Sequence, residues 1–161
     1  MSKVRILGID PGSRITGYGL IDVSTKGIYH VHSGTIEFYN DEVFPTRIAS
    51  FCGELSDIKA EYLPDVLAVE SLILVRGVSA AMKIAQARGA AICGVYSSNM
   101  DFAEYTPMQI KKAVAGTGKA SKADVQSAVR AALDLHFMPS KDEADALAVA
   151  LCHAHVLPDL T

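Results

Sequence analysis

The chain has little cysteine. Cys52, Cys93 and Cys152 are odd in number, widely spaced, and include no Cys-x-x-Cys pair. That pattern supports neither a disulfide framework nor a zinc knuckle. Long apolar runs are also missing: none reaches the length of a bilayer span, and the N-terminus does not read as a signal peptide. A protein of the reducing cytoplasm, with no membrane association, is the expectation. Internal repeats, low-complexity tracts and linkers are absent too, so residues 1–161 read as one domain. What is present is globular in composition, with 50% hydrophobic and 20% charged residues.

Net basic charge is lacking as well. At −3 the total argues mildly against a nucleic-acid partner, but its distribution argues the other way. Residues 1–75 carry 6 basic and 10 acidic side chains, residues 76–130 carry 8 and 3, and residues 131–161 carry 1 and 5. The basic block is Arg76, Lys83, Arg88, Lys111, Lys112, Lys119, Lys122 and Arg130. A basic middle between acidic flanks suits an acidic metal centre beside phosphate-binding lysines. Chance segregation on solvated helix faces would look the same.

Val4–Asp10 is apolar without alternation and reads as a buried central strand. Thr16–Val23 and Ile28–Phe38 are rich in β-branched and aromatic residues and read as two further strands of a meander. Ile48, Phe51, Leu55, Ile58 and Tyr62 give Phe44–Tyr62 a helical period, and Val66–Glu70 is a strand. Val78–Ser97 is an alanine-rich helix and Phe102–Tyr105 a short strand. Thr106-Pro107 starts a helix that breaks at Gly116-Thr117-Gly118. Ser121 with Asp124, and Ser140 with Glu143, are capping boxes for two more helices, the last running to about Val156. The order β-β-β-α-β-α-β-α-α-α predicts an α/β fold, a mixed five-stranded sheet with helices on both faces.

Four carboxylates stand at element ends: Asp10 and Glu70 close apolar strands, and Asp142 and Asp145 open the last helix one turn apart. Taken singly, each has an ordinary explanation as a turn initiator, an exposed strand end or first-turn acids. Together they are what a divalent-metal site needs. Phosphodiester hydrolysis must stabilise an attacking water and a leaving alkoxide, and two Mg²⁺ ions about 4 Å apart do both. Mg²⁺ takes oxygen ligands and keeps waters, so acids from several elements suffice. Asp10 is the acid expected to bridge the ions, and Gly12 permits a tight turn beside it.

Other patterns carry less. Gly116-Thr117-Gly118-Lys119 is not a P-loop, because Ala113 and Ala120 stand where glycine and Ser or Thr are needed. It reads as a mobile basic loop. His30 and His32 would share one strand face and could hold a metal, although ordinary strand histidines are the better reading. His153 and His155 diverge on a helix.

The run Ile6-Leu7-Gly8-Ile9-Asp10-Pro11-Gly12-Ser13-Arg14-Ile15-Thr16-Gly17-Tyr18-Gly19 closely resembles the opening of the RuvC family of Holliday junction resolvases. Val69-Glu70, Gln86-Ala87-Arg88-Gly89 and Asp142-Glu143-Ala144-Asp145-Ala146-Leu147-Ala148 resemble later family segments in the same order. The resemblance implies a ribonuclease H-like fold, a homodimer, four-way junction DNA as substrate and two symmetric nicks in recombination and repair. It implies Asp10, Glu70, Asp142 and Asp145 as catalytic acids binding Mg²⁺, with Mn²⁺ as a substitute. It implies RuvA and RuvB as branch-migration partners. Lys111 and Lys122 match the family's DNA-contacting lysines, and Lys119 and Arg76 extend the basic block around them. Ala80, Ala81, Ala85 and Ala91 would let a second helix approach at a dimer interface. One position departs: the family carries an aromatic three places after the second acid, and here it is Ile73. Isoleucine can wedge between bases but cannot stack as an aromatic does. Another ribonuclease H-like nuclease, acting on RNA or other branched DNA, is the competing enzymatic reading. An actin-like ATPase would need a second domain, and a non-catalytic scaffold would not need four unpaired acids.

Overall fold

The computed structural model describes residues 3–38, 43–71 and 77–158. Ile73 and Arg76 lie outside the described residues. The apolar run near the N-terminus forms β1 (Lys3–Asp10), whose Ile6 to Ile9 stretch is fully buried. It pairs antiparallel with β2 (Ile15–Ser24) and parallel with β4 (Val66–Glu70). β3 (Gly27–Glu37) and β5 (Asp101–Tyr105) complete a five-stranded sheet in the order β3-β2-β1-β4-β5. β1 is therefore central, and its lack of alternation follows from having both faces covered.

Successive β1 residues feed two cores. Leu7 and Ile9 join Leu20, Leu67 and Val69 against α1 (Phe44–Tyr62) and α2 (Val78–Val95), through Phe51, Leu55, Ala91 and Val95. Ile6 joins Ile21, Val66 and Ala68 on the opposite face. There α3 (Pro107–Ala115), α4 (Lys122–Ala132) and α5 (Lys141–Ala154) contribute Ile110, Val125, Val129, Leu147 and Leu151. The expected element order is reproduced, with α2 and α5 each ending two residues earlier than the pattern suggested. Among the described residues no helix is long and apolar enough to cross a membrane.

α5 is buried on nearly every side, and it lies on glycine. A Cβ placed on Gly8 would stand 2.3 Å from the Ala146 carbonyl oxygen. One on Gly17 would stand 1.9 Å from the Asp142 carbonyl oxygen. The helix backbone therefore rests directly on the β1–β2 backbone, closer than any side chain would permit. The contact continues at Gly19, over which Leu147 packs. Three capping boxes, at Thr106, Ser121 and Ser140, start α3, α4 and α5. Each satisfies two otherwise orphaned backbone N–H groups.

Two expectations change. His30 and His32 do not share a face, because the β2–β3 register shifts at Leu20/Ile21, opposing Leu20 to His32 and Ile21 to His30. The extra residue, Val31, turns the two rings apart. His32 bonds Tyr18 Oη at 3.1 Å and stacks on Tyr62 of α1, whereas His30 bonds Ser33 Oγ at 2.7 Å on the α5 side. Ala91 is fully buried in the protein's own core and is not free for a second helix. The outward face of α2 is instead Val78, Met82, Ala85, Gly89, Cys93 and Tyr96, all exposed and uncharged.

Gly17→Ala should cost about 1–3 kcal/mol in urea unfolding, because α5 must lift from the sheet. Gly53→Ala, in open space on α1, should instead stabilise by about 0.5–1 kcal/mol. Equal effects at the two positions would refute the close approach of α5.

Candidate active site

The β1–β4 ladder ends at the pair Ile9 and Val69. The next residues, Asp10 and Glu70, therefore stand side by side at the carboxyl ends of adjacent parallel strands, where open sheets bind ligands. Pro11-Gly12 then turns the chain sharply away. A Cβ on Gly12 would lie 2.0 Å from the Ile15 carbonyl oxygen, so no other residue fits that turn unchanged.

α5 delivers the other acids. Its first turn is held by Ser140, which accepts from the Glu143 N–H, while Glu143 Oε2 accepts from the Ser140 N–H. Glu143 Oε1 also accepts from Ser33 Oγ of β3 at 2.6 Å. Glu143 is thus occupied with structure, and Asp142 and Asp145 remain for the sheet end. Lys122, the first residue of α4, donates to Asp145 Oδ2 at 2.8 Å. Its charge also reaches Asp10 and Asp142, and these three acids hold the ammonium above its usual pKa.

Burial and mutual repulsion govern the acids. Desolvation, followed by the charge of Asp145, pushes Asp10 up to about 6, with Asp142 adding to the effect. Desolvation, then the charge of Asp10 and a hydrogen bond to it, pushes Glu70 up to about 8. Near neutrality the pair keeps a proton on Glu70, shared with Asp10. The Lys122 ammonium alone does not balance these acids. Among the described residues no three Asp, Glu, His or Cys side chains are arranged so that they could hold a metal ion, and Asp145 is turned to Lys122.

Among the described residues two clefts open on the Asp10–Glu70 pair. One, of about 240 Å³, has Asp145, Lys111 and Lys122 on its rim and Pro107, Ile110 and Val125 as an apolar wall. The other, of about 190 Å³, is lined by Pro11, Ser71, Ile84, Arg88 and Pro107. Arg88 pairs with Glu104 of β5. The structure thus gathers Asp10, Glu70, Asp145, Lys111 and Lys122, with Asp142 acting through its charge. Lys119 is exposed on the α3–α4 connection and lines neither cleft. Ser71 was not singled out from the sequence; Arg88 stood in the basic block and in the Gln86–Gly89 segment that resembles the family, without a place at the site.

Residues 6–153 match the family described as crossover junction endodeoxyribonuclease RuvC. The chain belongs to the RuvC family. It is 47% identical to the crossover junction endodeoxyribonuclease RuvC of Citrifermentans bemidjiense over 93% of this chain and 92% of that one. It is 45% identical to the Bordetella pertussis protein of the same name, over 96% and 85%. Thermus thermophilus RuvC in complex with Holliday junction substrate superposes with a TM-score of 0.86 at 31% identity, covering 94% of this chain and 93% of that one. The yeast mitochondrial Holliday junction resolvase Ydc2 shares the fold, with a TM-score of 0.66 at 14% identity over 94% and 78%. These neighbours agree with an α/β ribonuclease H-like fold. All four acids and Lys111, Lys119 and Lys122 fall within the RuvC match.

The raised carboxyls fix the sign of a pH effect. In the unfolded chain Asp10 and Glu70 ionise near their ordinary values of 3.8 and 4.5, while the folded chain still holds both protons. Stability present at low pH is therefore lost as pH rises through about 6 and about 8. Urea midpoints measured without divalent ions should fall between about pH 5 and pH 8.5. Glu70→Gln should flatten that fall. A flat wild-type profile would exclude a buried, repelling pair.

Proposed function

We propose that this protein resolves Holliday junctions, as a homodimer that makes paired symmetric Mg²⁺-dependent nicks in four-way DNA during recombination and repair. The observation that carries the reading is the joining of Asp10, Glu70 and Asp145 with Lys111 and Lys122 at one open cleft in a chain of this family. A junction strand is a polyanion. Lys111 and Lys122 would bind its phosphates, and the apolar wall of Pro107, Ile110 and Val125 would limit water around the scissile bond.

The donor set fits a divalent ion. Burial and repulsion make the Asp10–Glu70 pair retain a proton, so a cation that replaces it relieves both costs. Asp10, Glu70, Asp142 and Asp145 would hold the ions, two per site, with Mn²⁺ as a substitute. Bound ions compensate the charge on the attacking water and the leaving alkoxide. Asp10, which interacts with Glu70 and with the charges of Asp145 and Asp142, would serve both ions. Lys122 holds Asp145 by a hydrogen bond, and beside bound DNA the same ammonium would be within the cleft to bind a phosphate.

The exposed apolar face of α2 supports the dimer. Val78, Met82, Ala85, Gly89, Cys93 and Tyr96 form one uncharged stripe along the helix, and small residues at its centre let a second copy approach. RuvA and RuvB are the partners proposed for branch migration, and the cytoplasm is the proposed compartment. Met82→Glu should shift the protein toward monomer in sedimentation velocity; an unchanged dimer would place the interface elsewhere.

A nicking assay with Mg²⁺ on a synthetic four-way junction, with linear duplex and RNA–DNA hybrid as controls, tests the activity. Paired symmetric nicks confined to the junction, lost in Asp10→Asn, are expected. Cleavage of the hybrid instead would keep the chemistry and sink the junction reading. Mg²⁺ should also raise the thermal midpoint, and Asp145→Asn should blunt the gain. Equal shifts in both proteins would dismiss Asp145 as a ligand.

A further inference from the structure

Four of the described cations are held in ion pairs. Among the described residues, Lys3 and Arg5 pair with Asp22, Arg88 with Glu104, and Lys122 with Asp145. Among the described residues Arg14, Arg47 and Lys83 form no such pair, and they meet at one place. A cavity of about 160 Å³ is lined by these three cations together with Phe38, Phe44 and Ile48. No carboxylate lines it among the described residues.

The cavity adjoins the acidic clefts across a single ridge. Pro11 faces the acids, while Ser13 and Arg14 of the same turn face the cations. On α2, Ile84 and Arg88 face the acids, while their neighbours Lys83 and Ala87 face the cations. Arg47 is preset for an anion. Its guanidinium lies 5.7 Å from the centroid of the Phe44 ring, and its Nε is buried without a hydrogen-bond partner among the described residues. A buried donor left unpaired is costly, and an anionic acceptor is the natural remedy. Arg47 also sits in the first turn of α1, which has no side-chain cap and no acid, so the helix dipole adds positive potential.

We propose that this cavity is a second phosphate site, which takes a backbone phosphate of the DNA strand whose scissile phosphate occupies the acidic cleft. The assignment rests on the junction-cleaving reading and adds to it. Arg47 supplies a directed guanidinium, Arg14 and Lys83 supply charge from the rim, and Phe38 and Phe44 form its apolar side. Its role is to hold the strand at two points, one on each side of the ridge, so that the scissile bond cannot slide past Asp10. A two-point hold costs less entropy at the moment of reaction than one phosphate contact alone.

The test is equilibrium binding of a fluorescent four-way junction in EDTA, across potassium chloride concentrations. Each phosphate contact contributes about 0.9 to the slope of log K against log salt. Arg47→Gln with Lys83→Gln should reduce the slope by about 0.9 per bound subunit. The double variant Lys26→Gln with Lys59→Gln, which removes equal charge elsewhere, should leave it unchanged. Lys83→Gln alone, at an exposed side chain, guards against misfolding and should weaken binding several-fold. Equal slopes in wild type and the Arg47 variant would overturn the proposal. A second arm does not depend on the junction: at matched ionic strength, inorganic phosphate should raise the thermal midpoint of wild type but not of the Arg47 variant. If wild type nicks no junction, the function reading fails and the phosphate arm still decides the pocket. A phosphate effect with equal DNA slopes would make it a site for free anions and overturn the assignment to DNA.

Discussion

Everything at the site depends on how closely α5 lies on the sheet. The helix carries Asp142 and Asp145, and the sheet carries Asp10 and Glu70. Four carboxylates repel one another, and no set of side chains alone would draw them together. What does so is backbone packing. Gly8 and Gly17 remove the side chains that would separate α5 from β1 and β2, and Leu147 anchors the helix over Gly19. The hydrophobic burial of α5 along its whole length supplies the force. Burial of the acids, with their repulsion, is the local cost, and it is visible as Asp10 and Glu70 carboxyl groups that hold protons far above their ordinary range.

The same packing divides the labour among the acids of α5. Asp142, Glu143 and Asp145 lie within one turn and look alike in sequence. Glu143 is withdrawn by its capping bonds to Ser140 and by Ser33 of β3. Asp145 is held at the cleft by Lys122 from the start of α4. The capping box thus does more than begin a helix: it fixes the rotation at which α5 presents its charge. Around this negative centre the lysines of α3 and α4 and the cations beyond α2 form two positive margins. An acidic middle with basic margins is the field a metal-dependent enzyme acting on a polyanion requires.

Much of this was legible in the chain. Turn chemistry marked the ends of the helices: Thr106-Pro107, Ser121 with Asp124 and Ser140 with Glu143 all cap as their spacing implies. The unalternating apolar run of β1 announced a strand covered on both faces. Less legible were features that depend on one residue of register. The bulge at Val31 sends His30 and His32 to opposite faces, although period-two counting places them together. Ala91 and Ala85 are equivalent as alanines, yet one is in the core and the other on the surface, because the roll of α2 is set by α1 and the sheet.

By itself the sequence determined the order and kind of the elements, the four acids and the basic block. Each is written in short-range patterns of periodicity, capping and charge. Only the tertiary structure decided which charges meet. Arg14, Arg47 and Lys83 lie far apart in the chain and converge because the β1–β2 turn, α1 and α2 pack at one corner. Arg88 turns to Glu104 while Lys83, five residues earlier on the same helix, does not. Side-chain direction on a packed helix is set by its neighbours, and a linear pattern carries no record of them.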